Sequence, residues 1–231
     1  MKKKRGIFIF VAAFLMGVST LHAQTDGNSV IPVKQTGEEA KAKSDEEVNK
    51  KAAEWVAGLA FTDAAKAQRV MSAIAEHLKA VRDWHNEHPA ATVPAGINPA
   101  TGNKLSELDR QVIASSAIPN TVHAELMTAL QTELSPAQLE AVLDNYTIGK
   151  VAFTLKGYKA IVPDLTADEE AKILGYLKQA REQAIDYKSM KEISAIFEIY
   201  KTKCEQFLNS NGRNWRELFR AYVDKVKKEK A

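Results

Sequence analysis

Apolar residues recur every three or four positions along most of the chain, the spacing that turns one face of a helix toward a core. Val70, Ile74, Leu78 and Val81 form one such stripe, and residues 193–207 carry another. Nothing in the pattern separates the chain into independent halves. It predicts an all-α fold, a single-domain multi-helix bundle of roughly seven to eight helices.

Capping residues and helix breakers indicate where the predicted helices begin and end. Ser44 and Glu47 have the spacing of a capping box, so the first helix is expected to start near Ser44. Ser135 before Pro136 opens a later helix. Five prolines and glycines between residues 88 and 104 predict a long loop after the second helix.

The stretch at residues 147–162 fits two kinds of secondary structure. Val151, Phe153 and Leu155 alternate as a strand would, whereas Ile148, Val151, Leu155 and Tyr158 share one face of a helix. Because the neighbouring segments are helical, we predict a helix here as well.

The N-terminus has the pattern of a secretory signal peptide. Basic residues 2–5 precede an apolar run from Ile7 to Val18, and small residues follow up to Ala23. The apolar run is shorter than the roughly 20 residues that a membrane span needs. We therefore predict a periplasmic or secreted protein without a membrane span, organised as a signal peptide (1–23), a flexible linker (24–43) and a helical domain (44–231).

Removal of the leader changes the charge balance and what it implies about partners. The leader holds four of the 32 basic residues and no acidic residue, so 28 basic and 29 acidic residues remain. A nearly neutral exported protein is not expected to bind nucleic acid. The single cysteine, Cys204, allows no disulfide within the chain, and its position on an apolar stripe predicts a buried, unreactive thiol.

Motifs that would identify an enzyme or a metal protein are missing. The chain has no phosphate-binding glycine loop, no serine-nucleophile elbow and no metalloprotease motif. His77, His85 and His88 cluster near Glu87, but a metal site needs further ligands in fixed geometry. We predict no metal and no cofactor, and leave two roles open for these histidines: hydrogen bonding in the core, or contact with a ligand at a cleft.

Charged residues in the second half of the chain also allow two interpretations. Glu182 and Asp186 lie one helical turn apart and are expected on a solvated face, since acid and base pairs usually face each other across a cleft. A set of cations either belongs to the ordinary surface or gathers around an acidic sugar: Lys150, Lys156, Lys159, Arg181, Lys201 and Lys203.

One ligand site can be proposed from these positions. Trp84, His85 and His88 end a long helix where the proline-rich and glycine-rich loop begins, a place where a scaffold can present rigid groups to a ligand. Aromatic rings suit a sugar face, and cations suit its carboxylate. The side chains expected to complete the site are Tyr146, Lys150, Tyr158, Arg181 and Lys201.

The second half of the chain resembles a known family. The runs YTIGKVAFTLKGYKAIVPDLT from Tyr146, EEAKILGYLKQAREQAID from Glu169 and KEISAIFEIYKTKCEQFLNSNGRNW from Lys191 are similar to the domain of unknown function 3826. The resemblance implies an exported all-helical protein of Gram-negative gut bacteria with a link to carbohydrate, and it implies no reaction. The expected function is a non-catalytic carbohydrate-binding or glycan-utilisation accessory protein whose partner is an oligosaccharide or acidic sugar. The alternatives are a glycan-acting enzyme and a helical periplasmic chaperone.

Overall fold

The computed structural model describes residues 37–99 and 101–230, which form nine α-helices and one short 3₁₀ turn. The all-α prediction is confirmed for these residues, although roughly seven to eight helices were expected from periodicity. The observed number is larger because short turns divide segments in which the apolar periodicity continues almost without interruption. The helices are α1 (Gly37–Ala57), α2 (Ala64–Glu87), α3 (Glu107–Ser115), α4 (Asn120–Glu133), α5 (Pro136–Thr147), α6 (Lys150–Ile161), α7 (Ala167–Ala184), α8 (Met190–Ser210) and α9 (Trp215–Lys230).

Capping side chains mark most helix starts. Asp63 accepts hydrogen bonds from the backbone of Ala65 and Lys66 at the start of α2. Four later helices begin with a capping box, in which the cap side chain and the third helical residue satisfy each other's backbone N–H groups. The four pairs are Ser106 with Asp109, Ser135 with Gln138, Thr166 with Glu169, and Ser189 with Glu192.

The first described helix starts earlier than predicted. α1 begins at Gly37, so the predicted start near Ser44 is wrong and residues 37–43 are helical. Ser44 lies within α1 and not at its start, and its hydroxyl accepts a hydrogen bond of 2.9 Å from Arg82 that ties α1 to α2. The predicted signal peptide and residues 24–36 of the predicted linker lie outside the described residues.

The segment that fitted both strand and helix is helical. It forms α6, which buries Val151 and Tyr158 on one face and leaves Phe153 78% exposed. Strand-like alternation would have placed Val151 and Phe153 on the same side. The helical prediction for this segment is therefore confirmed.

Two apolar clusters fill the interior. One combines residues of α1, α2, α4 and α5 with Ile185, and the other combines residues of α6, α7 and α8 with Val162 and Tyr187. Cys204 is fully buried in the second cluster, where burial raises its thiol pKa to about 11. The thiol therefore stays protonated at neutral pH, which agrees with the predicted unreactive thiol. Across residues 37–99 and 101–230, no helix has the length and apolarity of a bilayer span.

The proline-rich and glycine-rich loop is held against α3. It contains the 3₁₀ turn at Ala90–Thr92, whereas the composition of the loop suggested no regular structure. The Gln111 side chain binds the backbone of His88 and Ala90, and the Arg110 side chain donates to the carbonyl groups of Ala90 and Val93. These contacts fix the first part of the loop against the bundle.

Candidate functional site

The side chains predicted at the end of α2 are used within the protein. Trp84 stacks on His88 with ring centroids 3.7 Å apart, and its indole N–H donates to the Ala114 carbonyl at 3.1 Å. His88 Nδ1 lies 2.9 Å from the Trp84 carbonyl oxygen. The indole N–H of Trp84 and Nδ1 of His88 are thus engaged by backbone groups.

His85 contacts a buried carboxylate instead of an open cleft. Its Nδ1 lies 3.3 Å from Glu192 Oε2, and the Glu192 side chain is only 1% exposed. The hydroxyl groups of Ser115 and Ser189 donate to the same carboxylate at 2.6 Å each. This group of contacts connects α2, α3 and the start of α8.

The predicted cations and Tyr158 occupy separate places. Tyr158 donates to the Lys201 carbonyl at 3.1 Å, and the Lys201 ammonium pairs with Glu198 at 2.9 Å. Lys150 Nζ lies 5.5 Å from the centre of the Phe197 ring. The Tyr158 and Lys150 contacts join α6 to α8, whereas the Lys201–Glu198 pair lies within α8.

Arg181 is a buried structural cation. Its guanidinium, 3% exposed, binds Asp144 at 2.6 Å and Glu140 at 2.9 Å. Both carboxylates belong to α5, so Arg181 fastens α7 to α5 and holds the Asp144 side chain in place.

A cleft of about 800 Å³ lies where α1, α2, the turn between α5 and α6, and the connection between α7 and α8 meet. Tyr146 is the one residue of the eight predicted site residues that lines it. The lining residues are Val48, Lys51, Glu54, Trp55, Leu78, Val81, Arg82, Asp144, Asn145, Tyr146, Ile148, Gly149, Tyr187, Lys188, Met190 and Ile193.

Aromatic rings form one wall of the cleft. Trp55 packs edge-on against Tyr146 with centroids 4.8 Å apart, and Tyr187 lines the cleft beside the start of α8. Tyr146 is 6% exposed, and its hydroxyl group has no hydrogen-bond partner among the described residues. Burial, together with the nearby charge of Asp186, raises the pKa of Tyr146 well above its usual value. A buried hydroxyl without a partner is costly, which marks Tyr146 as a position of functional interest.

The turn between α5 and α6 places a strained residue at the cleft. Ile148 has a φ of 53° and is 72% exposed, and Gly149 follows with a φ of 64°. The left-handed conformation suits glycine and is unfavourable for a β-branched side chain. Since local strain often collects at binding sites, an exposed isoleucine here supports a role for this rim.

Ile148→Gly should stabilise the fold. Glycine adopts the left-handed conformation without steric cost, so the free energy of unfolding is expected to rise by about 1 kcal/mol. Urea denaturation of the variant measures this change, with Ile199→Gly as the control. Ile199 is exposed within α8, where glycine should instead destabilise the helix by about 1 kcal/mol. If Ile148→Gly lowers the free energy of unfolding, the left-handed conformation of Ile148 does not destabilise the native protein.

Behind Tyr146, one carboxylate bridges two histidines. Asp186 accepts from His77 Nε2 at 3.0 Å and from His123 Nδ1 at 2.9 Å. The His77 ring packs edge-on against Tyr146 with centroids 5.4 Å apart. The arrangement joins α2, α4 and the connection between α7 and α8 directly behind the aromatic wall.

The contacts between Asp186 and the two histidines shift the pKa values of Asp186 and His123. Burial disfavours the charged Asp186 carboxylate, but the hydrogen bonds from His123 and His77 outweigh burial, so its pKa lies below the usual value. The hydrogen bond to Asp186 raises the pKa of His123 against a smaller opposing effect of burial. The expectation that Asp186 lies on a solvated face is wrong, because its side chain is 17% exposed; that of Glu182 is 58% exposed.

Several residues of this region were not found from the sequence. Neither Trp55 nor Tyr187 belongs to a motif in the sequence, and His123 stands alone in its helix. Their partners come from distant segments, as the separation of 109 residues between His77 and Asp186 illustrates. Within the described part of the chain, no group of three or more His, Cys, Asp or Glu residues is arranged to hold a metal.

The fold and the cleft define a class of small all-helical protein with an aromatic cleft of ligand size. The family model described as "Protein of unknown function (DUF3826)" matches residues 45–228, and the chain belongs to this family. Among curated proteins, no sequence matches the chain.

Proposed function

We propose that this protein is a non-catalytic carbohydrate-binding protein whose ligand occupies the cleft beside Trp55 and Tyr146. The observation that carries the proposal is an aromatic wall bordered by polar side chains within one cavity of about 800 Å³. Aromatic rings pack against the apolar face of a sugar, while amide, carboxylate and ammonium groups bind its hydroxyl groups. Asn145, Glu54 and Lys51 supply such groups at the cleft.

Two of the three carboxylates at or behind the cleft are engaged within the protein, which disfavours their use in catalysis. Asp144 is held by Arg181 at 2.6 Å, and Asp186 is occupied by two histidines behind the wall. A general acid or base has to exchange a proton with its substrate, which both arrangements oppose. A glycan-acting enzyme would have to use Glu54, the remaining carboxylate that lines the cleft.

Trp55→Ala should weaken oligosaccharide binding at least about tenfold, because stacking and area burial together exceed about 1.4 kcal/mol. Calorimetric titration with maltohexaose, xylohexaose and oligogalacturonate measures the loss. The variant Trp84→Phe, whose ring lies outside this cleft, serves as the control and should bind as the native protein does. Replacing both Trp84 and Trp215 by phenylalanine leaves Trp55 as the sole tryptophan of the three, so any fluorescence change then reports the cleft.

The same titrations separate this proposal from the alternatives. If Trp55→Ala binds every sugar as tightly as the native protein, the cleft is not the sugar site. Release of new reducing ends during incubation would support a glycan-acting enzyme. If no sugar binds while the protein suppresses aggregation of an unfolded client, the chaperone function would replace carbohydrate binding.

A further inference from the structure

The charges at the cleft are unevenly compensated. Five charged residues line it: Lys51, Glu54, Arg82, Asp144 and Lys188. Two of them belong to closed groups of equal and opposite charge, and three do not. The difference determines which ligand charge the cleft favours.

The charge of Arg82 is compensated by neighbouring carboxylates. Arg82 binds Asp45 at 2.7 Å and Asp83 at 2.8 Å, and Asp83 also pairs with Lys41 at 2.8 Å. This group holds two positive and two negative charges, so it presents little net charge to a ligand.

Asp144 belongs to a second balanced group. Arg181 binds Asp144 at 2.6 Å and Glu140 at 2.9 Å, and Lys178 pairs with Glu140 at 3.1 Å. The carboxylate that lines the cleft is therefore compensated by cations from α7.

Lys51 and Lys188 lack such compensation. Among the described residues, neither ammonium has a carboxylate within 4.0 Å. Lys51 Nζ lies 4.9 Å from the centre of the Trp55 ring, and partial burial lowers the pKa of Lys51. Lys188 Nζ donates to the uncharged Asn86 side chain at 2.6 Å. Opposing them is Glu54, which likewise has no ion-pair partner in the described part of the chain.

We infer that the cleft selects an anionic glycan, whose negative group is bound by Lys51 from α1 and by Lys188 from the connection between α7 and α8. The inference rests on the proposed function and adds the charge of its ligand. Two cations facing a single carboxylate leave a positive excess beside the aromatic wall. Lysine ammonium groups act as point charges, so a uronic carboxylate and a sulfate ester share the chemistry that would be recognised.

Matched sugars that differ only in charge test the selection. Hexagalacturonate should bind at least tenfold more tightly than its methyl ester if the carboxylate is recognised. A sulfated carrageenan hexasaccharide should likewise exceed its desulfated form if the sulfate is the natural group. Raising the salt concentration should weaken binding of the charged member of the pair and leave the neutral member unchanged.

Variants of the protein locate the effect. Lys51→Met and Lys188→Met should each weaken binding of the charged sugar about three- to tenfold more than they weaken binding of the neutral sugar. Glu54→Gln should strengthen binding of the charged sugar, a gain that damage to the fold would not produce. The matched controls are Lys50→Met and Lys191→Met, which are exposed neighbours outside the cleft lining and should bind as the native protein does.

The outcomes distinguish this inference from the proposed function. Equal affinity for the charged and neutral members of both pairs would overturn the anionic selection and leave carbohydrate binding intact. An equal loss in the control lysine variants would also overturn it, because the effect would then come from the overall charge of the protein. If neither these sugars nor neutral oligosaccharides bind, both conclusions fall together.

Discussion

Glu169→Ala should lower the free energy of unfolding by about 3 kcal/mol, the range for breaking a buried charge pair. The Glu169 side chain is 3% exposed and receives both Nε and Nη2 of Arg213, at 3.0 Å and 2.8 Å. It also accepts from Asn211 at 2.9 Å and from the Thr166 backbone at 3.0 Å. The variant removes the capping box of α7 and its connection to the turn before α9. Urea denaturation at neutral pH measures the effect.

The adjacent acid is the control for Glu169. Glu170 pairs with Lys159 at the surface, so Glu170→Ala should change the free energy of unfolding by less than about 0.5 kcal/mol. A comparable loss in both variants would show that helix propensity, not the buried contact, accounts for the result.

The Glu169 contribution should also depend on pH in a defined direction. Hydrogen bonds from Arg213, then from the Thr166 backbone and Asn211, lower the pKa of Glu169 from 4.5 to about 2. A lowered folded-state pKa stabilises the protein fully above the ordinary value and loses this effect as pH falls toward the folded value. The stability difference between the native protein and Glu169→Ala should therefore be constant above about pH 5 and shrink between pH 4.5 and about 2.

Asp186→Ala should cost a similar amount, about 3 kcal/mol, because it leaves a buried histidine without its partner. The His77 side chain is 1% exposed, its Nδ1 already has no partner among the described residues, and its Nε2 would lose the hydrogen bond of 3.0 Å. His123 would lose its bond of 2.9 Å as well. Thermal and urea unfolding measure the loss. Glu182→Ala, one turn earlier and 58% exposed, is the control and should be nearly neutral.

Opposite pKa shifts give the Asp186 contribution a pH window. The raised pKa of His123 stabilises the fold fully below its ordinary value of 6.5 and loses this effect as pH rises through the folded-state value. The lowered pKa of Asp186 stabilises the fold above 3.8 and loses this effect as pH falls. The difference between the native protein and Asp186→Ala should thus be largest between about pH 4 and 6.5 and decline on both sides. A difference that shows no decline either below about pH 4 or above about pH 6.5 would contradict an ionised bridge between Asp186 and His123.

The helices could be predicted because their signals are local. The stripe from Val70 to Val81 and the pairing of Ser135 with Gln138 depend on residues within one or two turns. The start of α1 was missed for the same reason. Ser44 has the local spacing of a cap, yet it lies within α1, where its hydroxyl binds Arg82 of another helix.

The candidate site was predicted only at Tyr146. Trp84, His85 and His88 are as suitable for a ligand as Trp55 when judged by residue type and spacing. The difference is that packing engages Trp84 Nε1 and His88 Nδ1 with backbone carbonyl groups and places His85 Nδ1 3.3 Å from the buried Glu192 carboxylate without a hydrogen bond. Which polar groups stay available to a ligand depends on contacts between distant segments.

By itself the sequence determined the all-helical class, the start of α5, the helical state of α6, the burial of Cys204 and the family. Periodicity and capping are signals that extend over only a few residues, so they can be read from the sequence without information on tertiary contacts. Only the tertiary structure decided that Trp55, Tyr146 and Tyr187 share one cleft, that Asp186 bridges His77 and His123, and which charges are compensated. These arrangements depend on how α1, α2, α5 and α7 pack, and side chains far apart in the chain meet only after that packing has formed.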